Sequence, residues 1–143
     1  MADDAHVARI VALYQTLSPA ALSQLASIYT DDARFKDPFN EVQGVPAIRA
    51  IFEHMYRTLD NPRFVVHERV LQGTQCFLTW DFMFGLKRGG APLTVRGASH
   101  LQLAQDGRIA AHRDYWDVAE ELYEKLPLLG TLMRWLKRRV NQG

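Results

Sequence analysis

Cysteine is nearly absent from this chain: Cys76 is the single one in 143 residues. An internal disulfide is therefore excluded, and a lone thiol is typical of proteins in a reducing compartment. An excess of charge of one sign is also lacking, because 17 Lys and Arg balance 16 Asp and Glu to a formal net charge of +1. Without a strong positive field, we expect no nucleic-acid partner.

Long apolar runs are missing as well. No stretch approaches the roughly 20 residues that a membrane-spanning helix needs. The opening sequence MADDAHVARI is acidic and lacks the apolar core of a secretion signal. These absences predict a cytoplasmic protein. The length suits one domain, and no repeat or linker divides the chain, so we predict a single domain over residues 1–143.

Apolar residues in the first part of the chain follow the spacing of helices that are buried on one side. A first stripe over residues 7–17 includes Tyr14. The Ser-Pro pair at 18–19 suits an N-cap and a first-turn proline, and it predicts a second helix through about residue 29. Gly44 and Pro46 introduce a third.

Beyond residue 60 the pattern changes to alternation with period two, which is typical of strands. Strands are predicted over 63–72, 75–88, 93–104 and 108–118. Helices followed by antiparallel strands predict an α+β fold, with three N-terminal helices packed on one face of a curved antiparallel sheet. In the last strand, alternation places His112, Asp114 and Trp116 on one face.

The C-terminal extension, residues 119–143, differs in character. A helix is predicted from about Pro127 to Arg139, with an apolar stripe that includes Leu132 and Leu136 beside basic residues. We expect this stripe to pack on the body of the protein or on a second subunit. Contact with a membrane surface is the alternative for such a helix, and it is not expected here.

Asp37 is an unusual choice, because it lies between Phe35 and Phe39 and directly before Pro38. Asp-Pro is common turn chemistry, which gives one interpretation. A carboxylate at the edge of an apolar interior can also act as a general base. Tyr14 could then donate its O–H to the charge that the base creates, or it could be an ordinary core tyrosine.

The segment YTDDARFKDPF, residues 29–39, resembles the Tyr-x-Asp-Asp-Ala and Asp-Pro-Phe segment of bacterial ketosteroid isomerases. Those enzymes belong to the nuclear-transport-factor-2-like, or SnoaL-like, superfamily. The short sequences at 43–44 (QG), 106–109 (DGRI) and 115–116 (YW) match as well. The resemblance covers about residues 5–118 and implies a cystatin-like cone of helices and sheet around a deep pocket.

Carried over position by position, the resemblance implies that Asp37 is the general base, Tyr14 the oxyanion-hole donor and Tyr29 its support. Ser99 departs from the pattern, because the isomerases have a protonated aspartate there and serine is a weaker donor. Asp114 resembles instead the acid or base aspartate of limonene epoxide hydrolase and the polyketide cyclases.

His112 adds a second polar group to the face of Asp114, as a core histidine or as its acid/base partner. The arginine of the epoxide hydrolase has no counterpart in the predicted pocket, because alternation places Arg96 outside. His100 lies outside with it and is expected at the surface or at an interface.

The predicted site thus has two groups of residues. The candidate catalytic residues are Asp37, Tyr14, Asp114, His112 and Ser99. The candidate substrate-binding residues are Tyr29, Phe52, Met55, Phe64, Trp80, Phe82, Phe84, Leu101 and Trp116.

The predicted function is proton transfer next to a carbonyl of a small hydrophobic substrate, of the steroid delta-isomerase type. Neither a cofactor nor a metal is expected. A hydrolase- or cyclase-like reaction that uses Asp114 is one alternative, and a non-catalytic ligand-binding or assembly module is another. A homodimer is expected, formed through the face of the sheet opposite the pocket.

Overall fold

The computed structural model describes residues 2–122, 134–136 and 138–141. Its helices are α1 (Asp4–Gln15), α2 (Val45–Thr58) and α3 (Val118–Glu121), with a 3₁₀ helix at Ala20–Ser27. Its strands are β1 (Tyr29–Lys36), β2 (Glu41–Gln43), β3 (Leu59–Gln72), β4 (Gln75–Leu86), β5 (Leu93–Leu103) and β6 (Ile109–Tyr115). They form one sheet in the order β2-β1-β6-β5-β4-β3. The predicted α+β class is confirmed.

Helix α1 begins at a capping box. The side chain of Asp3 accepts a hydrogen bond from the His6 N–H at 3.0 Å, and His6 Nδ1 accepts from the Asp3 N–H at 3.3 Å. The predicted stripe is buried along this helix. It directs the side chain of Tyr14, which is 7% exposed, toward the interior.

The predicted second α-helix over residues 18–29 is wrong in type and length. The segment forms a 3₁₀ helix that ends at Ser27, and the chain then enters β1 at Tyr29. Its ends are closed by hydrogen bonds between residues three apart, from Ala21 N–H to the Ser18 carbonyl and from Ile28 N–H to Leu25. The helix is limited to eight residues because the chain must become extended at Tyr29 to enter β1.

Helix α2 begins where predicted, directly after its N-cap residue Gly44. This residue has φ +94°, a left-handed conformation that glycine adopts without strain. Its N–H donates to the Ala33 carbonyl and its carbonyl accepts from Ile48 N–H, so one residue links β1 to the first turn of the helix. Ile48 and Phe52 are the buried residues of α2.

The sheet is mixed rather than wholly antiparallel, which corrects the prediction. Strand β1 pairs antiparallel with β2 but parallel with β6. This parallel pairing places Phe35 beside His112 and Tyr29 beside Ile109. The sequence-based prediction ends the second helix at about residue 29 and does not assign residues 29–36 to the sheet, so it misses this strand.

Strands β3 to β6 form an antiparallel meander, as predicted. Along β4, the side chains of Cys76, Leu78, Trp80 and Phe84 are buried, whereas Phe77 on the opposite face is 48% exposed. The alternation in the sequence therefore identified the inner face of the sheet correctly.

Arg96 lies on the outer face, as alternation predicted. Its Nε donates to Glu121 Oε1 at 2.7 Å, which ties α3 to β5.

Most of the predicted C-terminal helix, including Leu132, falls outside the described residues. The parts at 134–136 and 138–141 are helical, and Leu136 there is 42% exposed. None of the described helices is long and apolar enough to cross a membrane.

Candidate active site

A cavity of about 440 Å³ lies against the inner face of the sheet, a size typical of small-molecule sites. All five candidate catalytic residues line it: Tyr14, Asp37, Ser99, His112 and Asp114. Seven of the candidate substrate-binding residues line it too: Phe52, Met55, Phe64, Trp80, Phe82, Phe84 and Trp116. The geometry therefore brings the polar candidates to one aromatic-walled space.

Two candidate substrate-binding residues are placed differently from the prediction. Tyr29 and Leu101 are both 0% exposed and lie behind the cavity wall rather than at its surface. Leu101 is the register partner of His112 on the neighbouring strand. The hydroxyl group of Tyr29 bonds to that of Tyr14 from behind, which is the supporting position that the resemblance implied for Tyr29.

Asp114 is the carboxylate at the centre of the polar residues. Because β5 and β6 pair Ser99 with Asp114, and His112 precedes Asp114 by two residues on the same face, three polar side chains converge. Asp114 Oδ1 accepts from Ser99 Oγ at 2.5 Å and lies 2.6 Å from His112 Nε2. Both of these contacts end on Oδ1, so among the described residues they leave Oδ2 available to a ligand.

Ser99 is itself positioned by an indole. Trp80 Nε1 donates to Ser99 Oγ at 2.8 Å, and Ser99 then donates to the Asp114 carboxylate. The indole fits there because Gly97, directly opposite on β5, has no side chain. This chain of donors was not predicted, because alternation shows which face a residue occupies but not which atoms meet across strands.

Two tyrosines contact the other nitrogen of the same imidazole. Tyr29 OH lies 2.6 Å and Tyr14 OH 3.1 Å from His112 Nδ1, and the two hydroxyls are hydrogen-bonded to each other. Burial raises the pKa of Tyr14 well above its usual value, and the neighbouring Tyr29 adds to that shift. Burial also raises the pKa of Tyr29.

Asp37 lies in the cavity wall, but its carboxylate already accepts hydrogen bonds from the backbone that follows it. Its Oδ1 accepts from the N–H groups of Phe39 at 2.8 Å and Asn40 at 2.6 Å. The Asn40 side-chain nitrogen lies 3.1 Å from both carboxylate oxygens. This is the turn chemistry that was the first interpretation of Asp-Pro. The role of Asp37 as a base stays a prediction.

Most of the remaining cavity surface is apolar. Phe35 packs on the His112 ring with centroids 4.7 Å apart, and Phe39 meets Trp116 edge-on at 5.6 Å. Phe39, Ile51 and Leu122 also line the cavity and were not predicted to do so. Within the described part of the chain, no group of three or more His, Cys, Asp or Glu side chains is arranged to hold a metal ion.

Comparison with known proteins agrees with this architecture. The model of the SnoaL-like domain family matches residues 10–112. A search of curated proteins finds no match. Among solved structures, a protein with a ketosteroid isomerase-like fold from Catenulispora acidiphila, in complex with trimethylamine, is 16% identical to this chain, with a TM-score of 0.71. The match covers 85% of this chain and 92% of the other.

Two further solved structures are similar to this chain. A protein from Jannaschia, assigned as a SnoaL-like polyketide cyclase, has 15% identity and a TM-score of 0.69, covering 80% of this chain and 87% of the other. TerC, co-crystallised with polyporic acid, has 17% identity and a TM-score of 0.70, covering 80% and 93%. At these identities the likeness establishes the fold alone.

Proposed function

Since this chain belongs to the SnoaL-like domain family, we propose that it is a cofactor-free enzyme that moves a proton at the carbon next to a carbonyl of a small hydrophobic substrate. Asp114 is the general base in this proposal. The observation that carries it is the Asp114 carboxylate in an aromatic cavity, with its side chain 15% exposed and Oδ1 held by Ser99 and His112.

The arrangement suits proton abstraction for a physical reason. Ser99 and His112 fix the orientation of the carboxylate without occupying Oδ2, so that oxygen can accept a proton from a bound carbon acid. The C–H electron pair then moves toward the carbonyl, and negative charge develops on its oxygen. A preorganised donor in a water-poor cavity stabilises such an oxygen strongly, and Tyr14 lines the same cavity.

Two outcomes can follow from the enolate. Return of the proton from Asp114 to a different carbon gives isomerisation. Attack of the enolate carbon on a second carbonyl, whose oxygen then takes the proton from Asp114, gives cyclisation. Both begin with the same step at Asp114. Epoxide hydrolysis is less well supported, because Arg96 lies on the outer face and pairs with Glu120 and Glu121.

Asp37 is the rival base, and the hydrogen bonds around it argue for a structural role. Each of its oxygens already accepts at least one hydrogen bond from the turn, and Oδ1 accepts from two backbone N–H groups as well. Protonation would remove the charge that strengthens these hydrogen bonds and so would weaken the turn. This favours Asp114 over the residue that the isomerase resemblance implies.

Deuterium exchange tests the proposal. The protein is incubated in D₂O with a panel of cyclic enones and 3-keto steroids, and exchange at the carbon next to the carbonyl is followed by mass spectrometry. Asp114→Asn should slow exchange by about 10²-fold to 10⁴-fold, the usual contribution of a positioned base. Circular dichroism melts establish that the variant is folded.

Asp37→Asn is the matched control, since it makes the same change in the other cavity carboxylate. It should leave most of the exchange rate intact. A large loss in Asp37→Asn together with a normal rate in Asp114→Asn would reverse the assignment. No exchange by the wild-type protein with any member of the panel would favour the non-catalytic binding module.

A further inference from the structure

Three hydrogen-bonding atoms at the end of the cavity form a closed triangle. The number of protons that they share decides whether Tyr14 donates a hydrogen bond to a ligand or accepts one from it. The atoms are the hydroxyl oxygens of Tyr14 and Tyr29 and Nδ1 of His112. Of the three residues, Tyr14 and His112 line the cavity, whereas Tyr29 lies behind them.

Each tyrosine contributes one proton to this triangle. Both hydroxyls are buried, and burial disfavours the phenolate form, so the pKa of each is raised above its ordinary value. The hydroxyls therefore stay protonated across the neutral range. The third possible proton is the one on His112 Nδ1, because Nε2 points at the Asp114 carboxylate at 2.6 Å and is the donor there.

When His112 is neutral, its proton sits on Nε2 and Nδ1 must accept. Tyr29 then donates a hydrogen bond to Nδ1 at 2.6 Å, and Tyr14 donates one to the Tyr29 oxygen. Both hydroxyl protons are used inside the triangle. Tyr14 then has only lone pairs for the cavity, because turning its proton outward would leave two hydroxyl oxygens in contact with no proton between them.

When His112 is protonated, the direction of the chain reverses. Nδ1 now donates to the Tyr29 oxygen, Tyr29 donates to the Tyr14 oxygen, and every internal contact is satisfied without the Tyr14 proton. Tyr14 can then donate into the cavity, and the imidazolium is stabilised by the Asp114 carboxylate on its other side. One proton on His112 therefore converts Tyr14 from an acceptor into a donor.

We infer that His112 is a specificity-determining residue: its protonation selects between ligands that offer a carbonyl oxygen and ligands that offer a hydroxyl proton. This inference goes beyond the proposed function, because it concerns binding and is tested without turnover. The protonated state is also the one in which Tyr14 could donate to an enolate oxygen.

Among the residues that the structure describes, the charged or titratable groups near His112 come from different elements. Asp114 of β6, Tyr14 of α1 and Tyr29 of β1 contact its ring nitrogens. Strand β5 contributes the neutral Ser99, which bonds to Asp114. His54 of α2 and Asp37 line the same cavity without a described contact to the imidazole.

The test uses two ligands of equal ring size, α-tetralone and 5,6,7,8-tetrahydro-1-naphthol. The ketone can only accept a hydrogen bond, whereas the phenol is a strong donor whose ring-conjugated oxygen accepts only weakly. Dissociation constants are measured by calorimetry from pH 5 to 9, the range that brackets ordinary imidazole titration. The ketone should bind about threefold to tenfold more tightly at the acidic end, and the phenol should bind more tightly at the basic end by a similar factor.

Variants separate this mechanism from other titrations. Tyr14→Phe should remove the opposite pH trends of the two ligands, and His112→Gln should do the same by removing the titrating ring. His54→Gln is the matched control, because it replaces another cavity histidine, and it should keep both trends. Parallel trends for the two ligands, or flat binding of both, would overturn the inference.

A direct measurement covers the case in which His112→Gln fails to fold. In wild-type protein labelled with ¹⁵N-histidine, the ring nitrogen shifts report the tautomer. At high pH, His112 should carry its proton on Nε2, and on acidification Nδ1 should gain one over the same pH range in which the ligand affinities change. An Nδ1–H tautomer at high pH would refute the proposed direction of the chain.

Discussion

The contact between Gly97 and Trp80 makes Gly97→Ala the most informative substitution for the packing behind the site. A Cβ at residue 97 would lie 2.7 Å from Cζ2 and 2.8 Å from Cζ3 of the Trp80 indole. Real side chains do not approach that closely, so the indole must move. Trp80 is only 6% exposed and meets Phe64 edge-on at 5.7 Å, which leaves it little free space.

The expected loss of stability has two parts. Overpacking a well-packed core costs about 1–3 kcal/mol. Displacing the indole also breaks its hydrogen bond to Ser99 Oγ, at about 1 kcal/mol. Together these predict a loss of about 2–4 kcal/mol, and for a chain of this length that lowers the melting temperature by about 6–12 °C.

Gly85→Ala provides the matched control, because it is the same substitution on the strand that carries Trp80. A Cβ at residue 85 would meet Asp60 atoms at 3.4 Å, which is ordinary van der Waals contact. Urea unfolding followed by circular dichroism should show a change within about 1 kcal/mol of wild type for this variant.

A double-mutant cycle with Trp80→Phe examines the cause. The smaller ring relieves the collision, so the double variant should be more stable than the sum of the single changes predicts, by about 1–2 kcal/mol. Equal stability of Gly97→Ala and Gly85→Ala, or an additive cycle, would refute the argument that Gly97 makes room for the indole.

Two further predictions concern the protein as a whole. Because burial raises the pKa of Tyr14 and Tyr29, the folded state keeps their protons where the unfolded chain loses them. Stability should therefore be complete below about pH 10, the ordinary tyrosine value, and fall above it; an equally steep fall in Tyr14→Phe would contradict this. We also expect a homodimer through the outer face of the sheet, where Phe77 is 48% and Val70 is 59% exposed. Sedimentation should show dimers at micromolar concentration and monomers for Phe77→Lys, and a monomeric wild type would argue against this interface.

The inner face of the sheet was predictable because alternation is a local property. Every second residue of a strand points to the same side, so Trp80, Ser99, His112 and Asp114 could be assigned to one face before any strand was paired. The same reasoning placed Arg96 outside, where it binds α3. For these residues, the sequence predicted which side of the sheet each occupies.

The support behind the site was not predictable in this way, because it depends on pairing between distant segments. Tyr29 reaches His112 only because β1 runs parallel to β6, and nothing in residues 29–36 specifies that partner. The hydrogen bond from Trp80 to Ser99 requires Gly97 to lie opposite the indole, and that depends on the register between β4 and β5. Local patterns do not carry register, so these contacts follow only from the assembled sheet.

Asp37 shows how a matching motif and its chemistry can separate. The Asp-Pro-Phe segment predicted both a turn and a general base, and each interpretation was consistent with the same letters. In the structure, two backbone N–H groups and the Asn40 side chain satisfy the carboxylate. The described contacts of Asp114 come instead from two side chains, His112 two residues earlier on β6 and Ser99 on β5, and both end on Oδ1, so Oδ2 accepts no described hydrogen bond. In the proposed function, the hydrogen bonds that each carboxylate already accepts therefore favour Asp114 as the base over Asp37, the residue that the resemblance implies.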